Sequence, residues 1–231
     1  MAKIGCFIVN YMYRDFVDWA IQSVLRQTRK PDFLVFIDDH SEDDSVELVK
    51  KYFPEIKWDS FVVNESNLGT VKTANLGAKI CGEAGCDYIC CLSADDMLHK
   101  DFFLKTEKAL DSSPDNVGFA YTHVRRIGDE NQYDIHPEWN KELLQRGNFV
   151  HGSALIKFDC WDSVGGLPEG YPREEDWAMF KGMADLGWKG VLVPEALLYW
   201  RKHKLFQRTT NFNESGAKRL ERWQRIKNGK R

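Results

Sequence analysis

The stretch YICCLSADDMLHKDF, residues 88–102, contains the pattern on which the fold and the chemistry of this chain depend. Its apolar first part is typical of a strand buried on both faces, and it ends at two adjacent carboxylates, Asp95 and Asp96. Successive side chains of a strand point to opposite faces, so neighbouring carboxylates converge only where the strand has ended. Two explanations are open here: a turn that leads into a helix cap, or a site for Mg²⁺ or Mn²⁺.

Apolar runs of the same kind alternate with helical patterns along the chain. Besides residues 88–93, strands are predicted at 3–11, 33–37, 60–64 and 116–128, and helices at 14–28, 44–53, 70–84, 100–113 and 176–187. Ser41 is the predicted cap of the second helix, and Gly82 or Gly85 is predicted to end the third. This alternation predicts a mostly parallel sheet covered by helices, which binds ligands at the carboxyl ends of its strands.

The second half of the sequence is less regular. We predict a long connection at 134–153, a strand at 153–158, a loop at 161–177 and a strand pair, or a strand and turn, at 189–203.

The composition is that of an ordinary soluble protein of one domain, with 231 residues, 43% hydrophobic and 29% charged. No apolar run reaches the length of a membrane span, and the N-terminus enters a strand-like segment without the features of a signal peptide. The cytoplasm is therefore the expected location, with peripheral attachment to a membrane surface as an option. The six cysteines lack zinc-site spacing, so reduced and mostly buried thiols are expected.

Charge is distributed unevenly along the chain. Residues 201–231 hold 11 Lys and Arg against two Glu, although the whole chain has a net charge of −3. The tail at 204–231 has helical propensity, with Leu220 and Trp223 on one side. A basic tail on an acidic body suggests contact with an anionic surface, and a solvated helix is the alternative.

Glycine loops that cradle phosphate are missing from the sequence. Neither G-x-x-x-x-G-K-[ST] nor G-x-G-x-x-G follows the first predicted strand, which argues against P-loop and dinucleotide-binding proteins. A nucleotide bound without such a loop would need a divalent cation to offset its diphosphate charge. A second acid pair, Asp38 and Asp39, could accept a hydrogen bond from a base such as uracil, or could serve only the turn before Ser41.

In their order and spacing these motifs resemble the family 2 glycosyltransferases, which have the GT-A fold. The matching segments are VNY (9–11), IDDHS (37–41), NLGTVKTANLG (67–77), LSADDM (92–97), VHGSALIKFDCWDSVGGLPEG (150–170), REEDW (173–177) and YWRKH (199–203). The resemblance implies a mixed, mostly parallel sheet flanked by helices in a single domain at 1–203. That domain would have a nucleotide-binding half at about 1–110 and an acceptor half at 111–203, and a basic helical tail at 204–231 would follow.

The resemblance also implies roles for individual residues. The nucleotide would be bound by Val9, Asn10, Tyr11, Asp38, Asp39, Asn67, Gly69, Lys72, Asn75 and Asp95. The metal, Mn²⁺ or Mg²⁺, would be held by Asp96 with Asp95 and His203. Asp176 would be the general base with Glu175 beside it, and Trp177 and His151 would face the sugar or the acceptor.

The implied reaction is a single displacement that inverts the anomeric configuration. The donor would be a nucleotide sugar, first of all a UDP-sugar, and the acceptor a hydroxyl of a glycan, a lipid-linked glycan or another molecule. A metal offsets the charge that grows on the leaving diphosphate, and a carboxylate takes the proton of the acceptor hydroxyl. The crowded acids at 173–177 can raise one another's pKa, which suits a base near neutral pH. The alternative for this segment is that Glu174 and Glu175 are solvated while Asp176 caps the next helix.

Two other functions stay open at the level of sequence. One is a non-catalytic nucleotide-sugar-binding or scaffolding module that docks through its basic tail. The other is a sugar nucleotidyltransferase, which shares the architecture but needs a basic, glycine-rich loop after the first strand. The segment NYMYRDF (10–16) contains no glycine, which counts against that second function.

Overall fold

The computed structural model describes residues 2–51, 56–171 and 173–203, and in that part of the chain nine strands form one mixed sheet with helices on both faces. The strands are β1 (Ile4–Asn10), β2 (Phe33–Asp38), β3 (Ser60–Val63), β4 (Tyr88–Ser93), β5 (Met97–Leu98), β6 (Val117–Gly128), β7 (Gln132–Asp134), β8 (Leu155–Lys157) and β9 (Lys189–Lys202). The helices are α1 (Val17–Leu25), α2 (Ser45–Lys51), α3 (Thr70–Glu83), α4 (Phe102–Asp111), α5 (Lys141–Arg146), α6 (Phe158–Asp162) and α7 (Glu175–Asp185).

The strand order across the sheet is β3-β2-β1-β4-β8-β6-β9-β5, and β7 pairs with β6. The first four strands in this order are parallel, because α1, α2 and α3 carry the chain back between them. β8 runs antiparallel to both β4 and β6, whereas β6 and β9 are parallel. The mixed sheet that the sequence predicted is confirmed.

The core lies in two layers, one on each face of the sheet. In β1, Cys6 and Ile8 face the layer that contains α1 and α4, and Phe7 faces the layer that contains α3 and α7. A strand covered on both faces needs apolar residues at every position, which explains the uninterrupted apolar runs. The close approach of α3 requires Gly77, since a Cβ there would lie 2.4 Å from the Phe7 ring.

The start of α2 differs from the prediction. The helix begins at Ser45 rather than after Ser41, and the carboxylate of Asp43 accepts the Ser45 amide at 3.0 Å. Ser41 does not cap the helix, because its hydroxyl accepts the backbone N–H of Met12 at 2.8 Å and so joins the loops that follow β1 and β2. At the end of α3, Gly85 is the terminating residue, with a φ of +71°.

The second half contains more regular structure than predicted. The connection at 134–153 contains α5, whose N-cap Asn140 accepts the Leu143 amide at 2.8 Å. The predicted strand at 153–158 shrinks to β8, and α6 occupies the start of the predicted loop. The segment at 189–203 is one strand rather than a pair, with an irregularity in register between Val193 and Ala196, where Pro194 cannot donate a ladder hydrogen bond.

Two further expectations concern the cysteines and the membrane. All six cysteines are free thiols, and five of them are buried, as expected. No helix in the described part of the chain has the length and apolarity of a transmembrane span. The basic tail at 204–231 lies outside the described residues, so its helical character and its anionic contact stay predictions.

Candidate functional site

The predicted site residues collect at one edge of the sheet. β1, β2 and β4 are parallel, so the acids and amides that follow them meet at their shared carboxyl ends. β9 reaches the same edge because its residues Leu198 and Tyr199 pair with β5, which directly follows the Asp95–Asp96 pair. Segments about 100 residues apart in sequence therefore contribute to one site.

The end of β1 is joined to the end of β2 by buried polar contacts. The Asn10 amide donates to Asp38 Oδ2 at 2.6 Å, and the Ser41 backbone N–H donates to Asp38 Oδ1 at 2.7 Å. Both Asn10 and Asp38 are fully buried. Asn10 Oδ1 is a buried acceptor with no hydrogen-bond partner among the described residues. A nucleobase N–H would satisfy that oxygen.

Asp39 organises the loop that leads into α3. Its Oδ1 accepts the Leu68 amide at 2.8 Å and the Asn64 side-chain amide at 2.9 Å, and its Oδ2 accepts the Gly69 amide at 2.9 Å. Asn67 donates to the Asp39 carbonyl at 3.2 Å. The Asp39 carboxylate therefore accepts protein donors and holds the 64–69 loop in place, and its contact with a base stays a prediction.

We expect Asp39→Ala to destabilise the fold by about 2–4 kcal/mol, because it removes a charged acceptor of three hydrogen bonds, each contributing about 1.5–3 kcal/mol at most, and only the donor on Asn64 is buried. The midpoint of urea denaturation measures this loss. Glu42→Ala is the matched control: its side chain is exposed on the same loop, so the change should stay within about 0.5 kcal/mol. Equal midpoints for the two variants would contradict this role of Asp39.

Backbone strain is concentrated at this edge. Three non-glycine residues in the described part of the chain have a positive φ: Met12 (60°), His40 (63°) and Glu174 (62°). They lie in the loop after β1, in the loop after β2 and directly before α7, which are three of the predicted site segments. Such conformations cost about 1–3 kcal/mol each and cluster at functional sites.

Asp95 and Asp96 form a turn at the end of β4, in which the Asp96 amide donates to the Ser93 carbonyl at 3.0 Å. They do not cap a helix, because α4 begins only at Phe102. Arg201 binds the pair from β9: its backbone N–H donates to Asp96 Oδ1 at 2.9 Å, and its guanidinium Nε donates to the Asp95 carbonyl at 3.0 Å. The capping explanation is therefore wrong, and the turn is held by tertiary contacts.

His203 completes this cluster from the end of the described chain. Its Nε2 lies 3.2 Å from Asp95 Oδ2, and its ring lies 4.6 Å from the Phe16 ring and 5.8 Å from the Tyr13 ring, centroid to centroid. Both rings come from the segment that follows β1. His203 Nδ1 is buried and has no hydrogen-bond partner among the described residues. His203 therefore lies beside Asp95, and its role at a metal or diphosphate stays a prediction.

The buried acid pair is electrostatically suited to a cation. Burial and the neighbouring Asp95 raise the pKa of Asp96 well above its ordinary value, and Arg201 opposes this rise only in part. No group of three or more His, Cys, Asp or Glu side chains within residues 2–51, 56–171 and 173–203 is arranged to hold an ion by itself. A cation at this pair would need diphosphate oxygens and water to complete its shell, as is usual for Mg²⁺.

Glu175 and Asp176 are the first two residues of α7, and they directly follow Glu174, which has a positive φ. Glu175 is buried, with 5% of its surface exposed, and Asp176 lies in the first turn rather than at the N-cap. Asp176 Oδ1 accepts the Trp177 amide at 2.7 Å and lies 3.4 Å from the Asn148 amide nitrogen. Glu174 is exposed, as the alternative expected, but Glu175 is not solvated and Asp176 does not cap the helix, so those two parts of the alternative are wrong.

One cysteine, Cys91, is affected by charges from both acidic segments. Burial raises the pKa of the Cys91 thiol on β4, and the charges of Glu175 and Asp96 raise it further. Cys91 is thus close enough to feel carboxylates from both the end of β4 and the start of α7. The pKa of this one thiol therefore responds to carboxylates of both acid pairs, whose roles in metal binding and base catalysis stay predictions.

Trp177 and His151 lie beside the start of α7. The Trp177 indole N–H donates to the Leu144 carbonyl at 2.6 Å, and Lys181 Nζ lies 4.1 Å from its ring centroid. His151 Nε2 accepts the Thr122 amide at 3.1 Å, and burial lowers the pKa of His151 to about 3. The following residue, Gly152, approaches Asp176, since a Cβ there would lie 3.5 Å from Asp176 Oδ2.

The other predicted nucleotide residues have varied surroundings. Lys72 Nζ lies 3.8 Å from Glu169 Oε2, and both side chains are more than half exposed. Asn75 donates to the Leu167 carbonyl and accepts the Leu167 amide, each at 2.9 Å, so it anchors the loop before α7. Val9 lies in β1 and Tyr11 directly after it. The nucleotide role of these residues stays a prediction.

Four residues of this region were missed from the sequence: Asn64, Ser93, Asn148 and Arg201. Arg201 lies within the YWRKH segment, so its motif was a usable signal. Ser93 donates to Asp95 Oδ1, two residues away. Asn64 and Asn148 carry no local signal, because their partners Asp39 and Asp176 lie 25 and 28 residues away in sequence.

The chain is similar to known proteins both in sequence and in fold. The family model described as glycosyl transferase family 2 matches residues 6–166. Chondroitin synthase of Escherichia coli is 23% identical over 194 residues, which are 80% of this chain and 27% of that protein. An uncharacterised glycosyltransferase of Rickettsia conorii is 32% identical over 133 residues, which are 57% of this chain and 20% of that protein. The chain therefore spans roughly a fifth to a quarter of these relatives.

Solved structures share the same architecture. S. aureus TarS in complex with UDP-GlcNAc superposes with a TM-score of 0.69 at 17% identity, covering 87% of this chain and 59% of that one. A mannosyltransferase of Pyrobaculum calidifontis in complex with GDP-Man and Mn²⁺ gives a TM-score of 0.69 at 15% identity, covering 90% and 59%. These likenesses confirm the GT-A fold.

Proposed function

The chain belongs to glycosyltransferase family 2, and from this premise we propose that it transfers a sugar from a UDP-sugar to an acceptor hydroxyl with inversion, with Mn²⁺ or Mg²⁺ bound. The acceptor class that we propose is a glycan or lipid-linked glycan. The basic segment at 204–231 would contact an anionic surface near it.

The observation that carries this proposal is the buried Asp95–Asp96 pair, which is contacted by Arg201 of β9 and by His203 directly after it. Burying two adjacent carboxylates destabilises the folded state, because their like charges repel each other. A bound cation and diphosphate would offset that cost. The similar structures in complex with UDP-GlcNAc and with GDP-Man and Mn²⁺ support the same chemistry.

On the leaving-group side, Asp96 and Asp95 would hold the metal, with His203 beside them. When bound, the metal would offset the negative charge that develops on the departing diphosphate. Arg201 fixes the orientation of the acid pair. Its backbone N–H donates to Asp96 Oδ1, and its guanidinium donates to the Asp95 carbonyl. Asn10 would accept an N–H of the base, while Asp39 keeps the 64–69 loop in position.

On the acceptor side, Asp176 would take the proton of the attacking hydroxyl, which requires an ionised carboxylate within hydrogen-bond reach. Its Oδ2 lies near Gly152, since a Cβ added to that glycine would be 3.5 Å from it. Asn148 and the Trp177 amide bind Oδ1 and so orient the carboxylate. Buried Glu175 adds negative charge next to it.

A donor-hydrolysis screen tests the proposed function. We expect the protein to release UDP from at least one UDP-sugar in the presence of Mn²⁺ or Mg²⁺, and we expect a chelator to reduce the rate to background. GDP-sugars and dTDP-sugars are the comparison donors. Release that is unaffected by the chelator would overturn the metal dependence, and release from GDP-sugars alone would overturn the choice of base.

A further inference from the structure

Two cysteines come together at the C-terminus of α3, which is the end of the helix away from the candidate functional site. The Cys86 amide donates to the Cys81 carbonyl at 3.0 Å, and the Gly85 amide donates to the Gly82 carbonyl at 2.9 Å. Gly85 has the left-handed conformation, with a φ of +71°. These are the two hydrogen bonds of a Schellman motif, in which the side chains three residues inside the helix and two residues beyond it come into contact. Here both side chains are thiols.

The neighbouring strand shows that both sulfur atoms lie against one residue, Gly5. A Cβ added to Gly5 of β1 would lie 2.8 Å from Cys81 Sγ and 2.9 Å from Cys86 Sγ. Both sulfurs therefore surround the same point above Gly5, and only glycine leaves room for them. Cys81 is fully buried, whereas Cys86 lies just beneath the surface between the exposed residues Gly85 and Asp87.

The environment makes the two thiols unequal. The proximity of the two thiols lowers the pKa of Cys86, whose thiolate the Cys81 thiol would stabilise, and raises the pKa of Cys81. Lys3 also lowers the pKa of Cys86, while burial, Asp32 and Asp87 oppose this effect. The Lys3 ammonium donates to the Ala84 carbonyl at 2.6 Å and so offsets the partial negative charge of the helix C-terminus. Cys86 is thus the attacking thiol and Cys81 the resolving thiol.

We propose that Cys81 and Cys86 form a redox-active dithiol that a small-molecule disulfide, such as oxidised glutathione, converts into a reversible disulfide across the end of α3. The Cys86 thiolate attacks one sulfur of the small disulfide, forms a mixed disulfide and releases one thiolate. Cys81 then loses its proton and attacks Cys86 Sγ, which releases the second thiolate. Two electrons pass from the protein to the small disulfide, and the two protons end on the released thiols.

A second thiol pair in the same sheet gives an internal comparison. Cys6 and Cys90 are register partners on β1 and β4, but they are exposed by no more than 1% and belong to the core layer on the opposite face. Burial raises the pKa of Cys90, and Cys6 raises it further. We expect this pair to stay reduced while the protein is folded.

Thiol counting tests the proposal and does not depend on sugar transfer. We expect the folded protein in oxidised glutathione to lose two of its six thiols, counted in denaturant after quenching. Cleavage after Glu83 by a glutamate-specific protease falls between the two cysteines. The flanking peptides should therefore stay joined until a reductant is added. A count that stays at six, or a link that joins Cys6 to Cys90, would overturn the proposal.

Single variants test the order of attack. Cys81→Ser should retain one glutathione per chain, attached to Cys86, and Cys86→Ser should retain none. Cys160→Ser is the control because Cys160 is a buried thiol on α6, and it should still lose two thiols. Equal glutathione uptake by Cys81→Ser and Cys86→Ser would overturn the assignment. Differential alkylation of the unmodified protein, in which Cys86 should react first, keeps the test valid if a variant fails to fold.

Discussion

Asp96→Asn is expected to lower sugar transfer by roughly 10³-fold, because losing the proposed metal ligand would remove several kcal/mol of charge stabilisation from the transition state. The variant should nevertheless fold, since an asparagine Oδ1 can still accept the Arg201 backbone N–H that now donates to Asp96 at 2.9 Å. Initial rates at saturating Mn²⁺ measure the loss. Asp115→Asn, which changes an exposed carboxylate, is the matched control and should keep full activity.

The stability of the same variant separates a functional role from a structural one. The pKa of Asp96 is raised in the folded state, so its contribution to stability is complete at acid pH and is lost as the pH rises through the folded pKa. In the presence of a chelator, Asp96→Asn should therefore match the unchanged protein at low pH and exceed its Tm near neutral pH. Adding Mn²⁺ and UDP should raise the Tm of the unchanged protein only. A lower Tm of the variant at neutral pH would contradict this account.

Asp176→Asn is expected to lower kcat by about 10²–10⁴-fold while UDP binding stays nearly unchanged, because the proposed base would act on the acceptor proton and not on the nucleotide. Isothermal titration with UDP and Mn²⁺ measures the binding, and transfer assays measure kcat. Asp185→Asn changes the other end of α7, where Asp185 pairs with Lys141 at 2.8 Å and both side chains are at least half exposed. That control should behave like the unchanged protein.

The outcome of this experiment also decides between Asp176 and its neighbour. If Asp176→Asn retains transfer, Asp176 is not the base, and Glu175→Gln becomes the informative variant. Loss of UDP binding together with transfer would show instead that the change disturbs the whole edge of the sheet. A non-catalytic binding module would bind UDP and show no transfer before any substitution is made.

The local pattern of the sequence was sufficient for the elements that are long or fully buried. β1, β2 and β4 are uninterrupted apolar runs because helices cover both of their faces, and α1 shows a clear apolar stripe. Short elements were not predicted. For example, α5 has only six residues, and Asn140 is the single sequence signal for its start. The prediction that Ser41 caps α2 was wrong for another reason. Its hydroxyl accepts the backbone N–H of Met12, in the loop after β1, and does not bind its own helix.

The sequence by itself determined that acid pairs follow two of the apolar strands, β2 and β4, and that a parallel sheet would place these pairs at one edge. Only the tertiary structure decided which groups contact those acids. Arg201 and His203 reach Asp95 and Asp96 only because β9 pairs with β5, and Glu175 lies near the same Cys91 as Asp96 only because α7 packs on that face. Local patterns record whether a segment is buried, but pairing between segments 100 residues apart depends on the packing of the whole sheet, which no short stretch encodes.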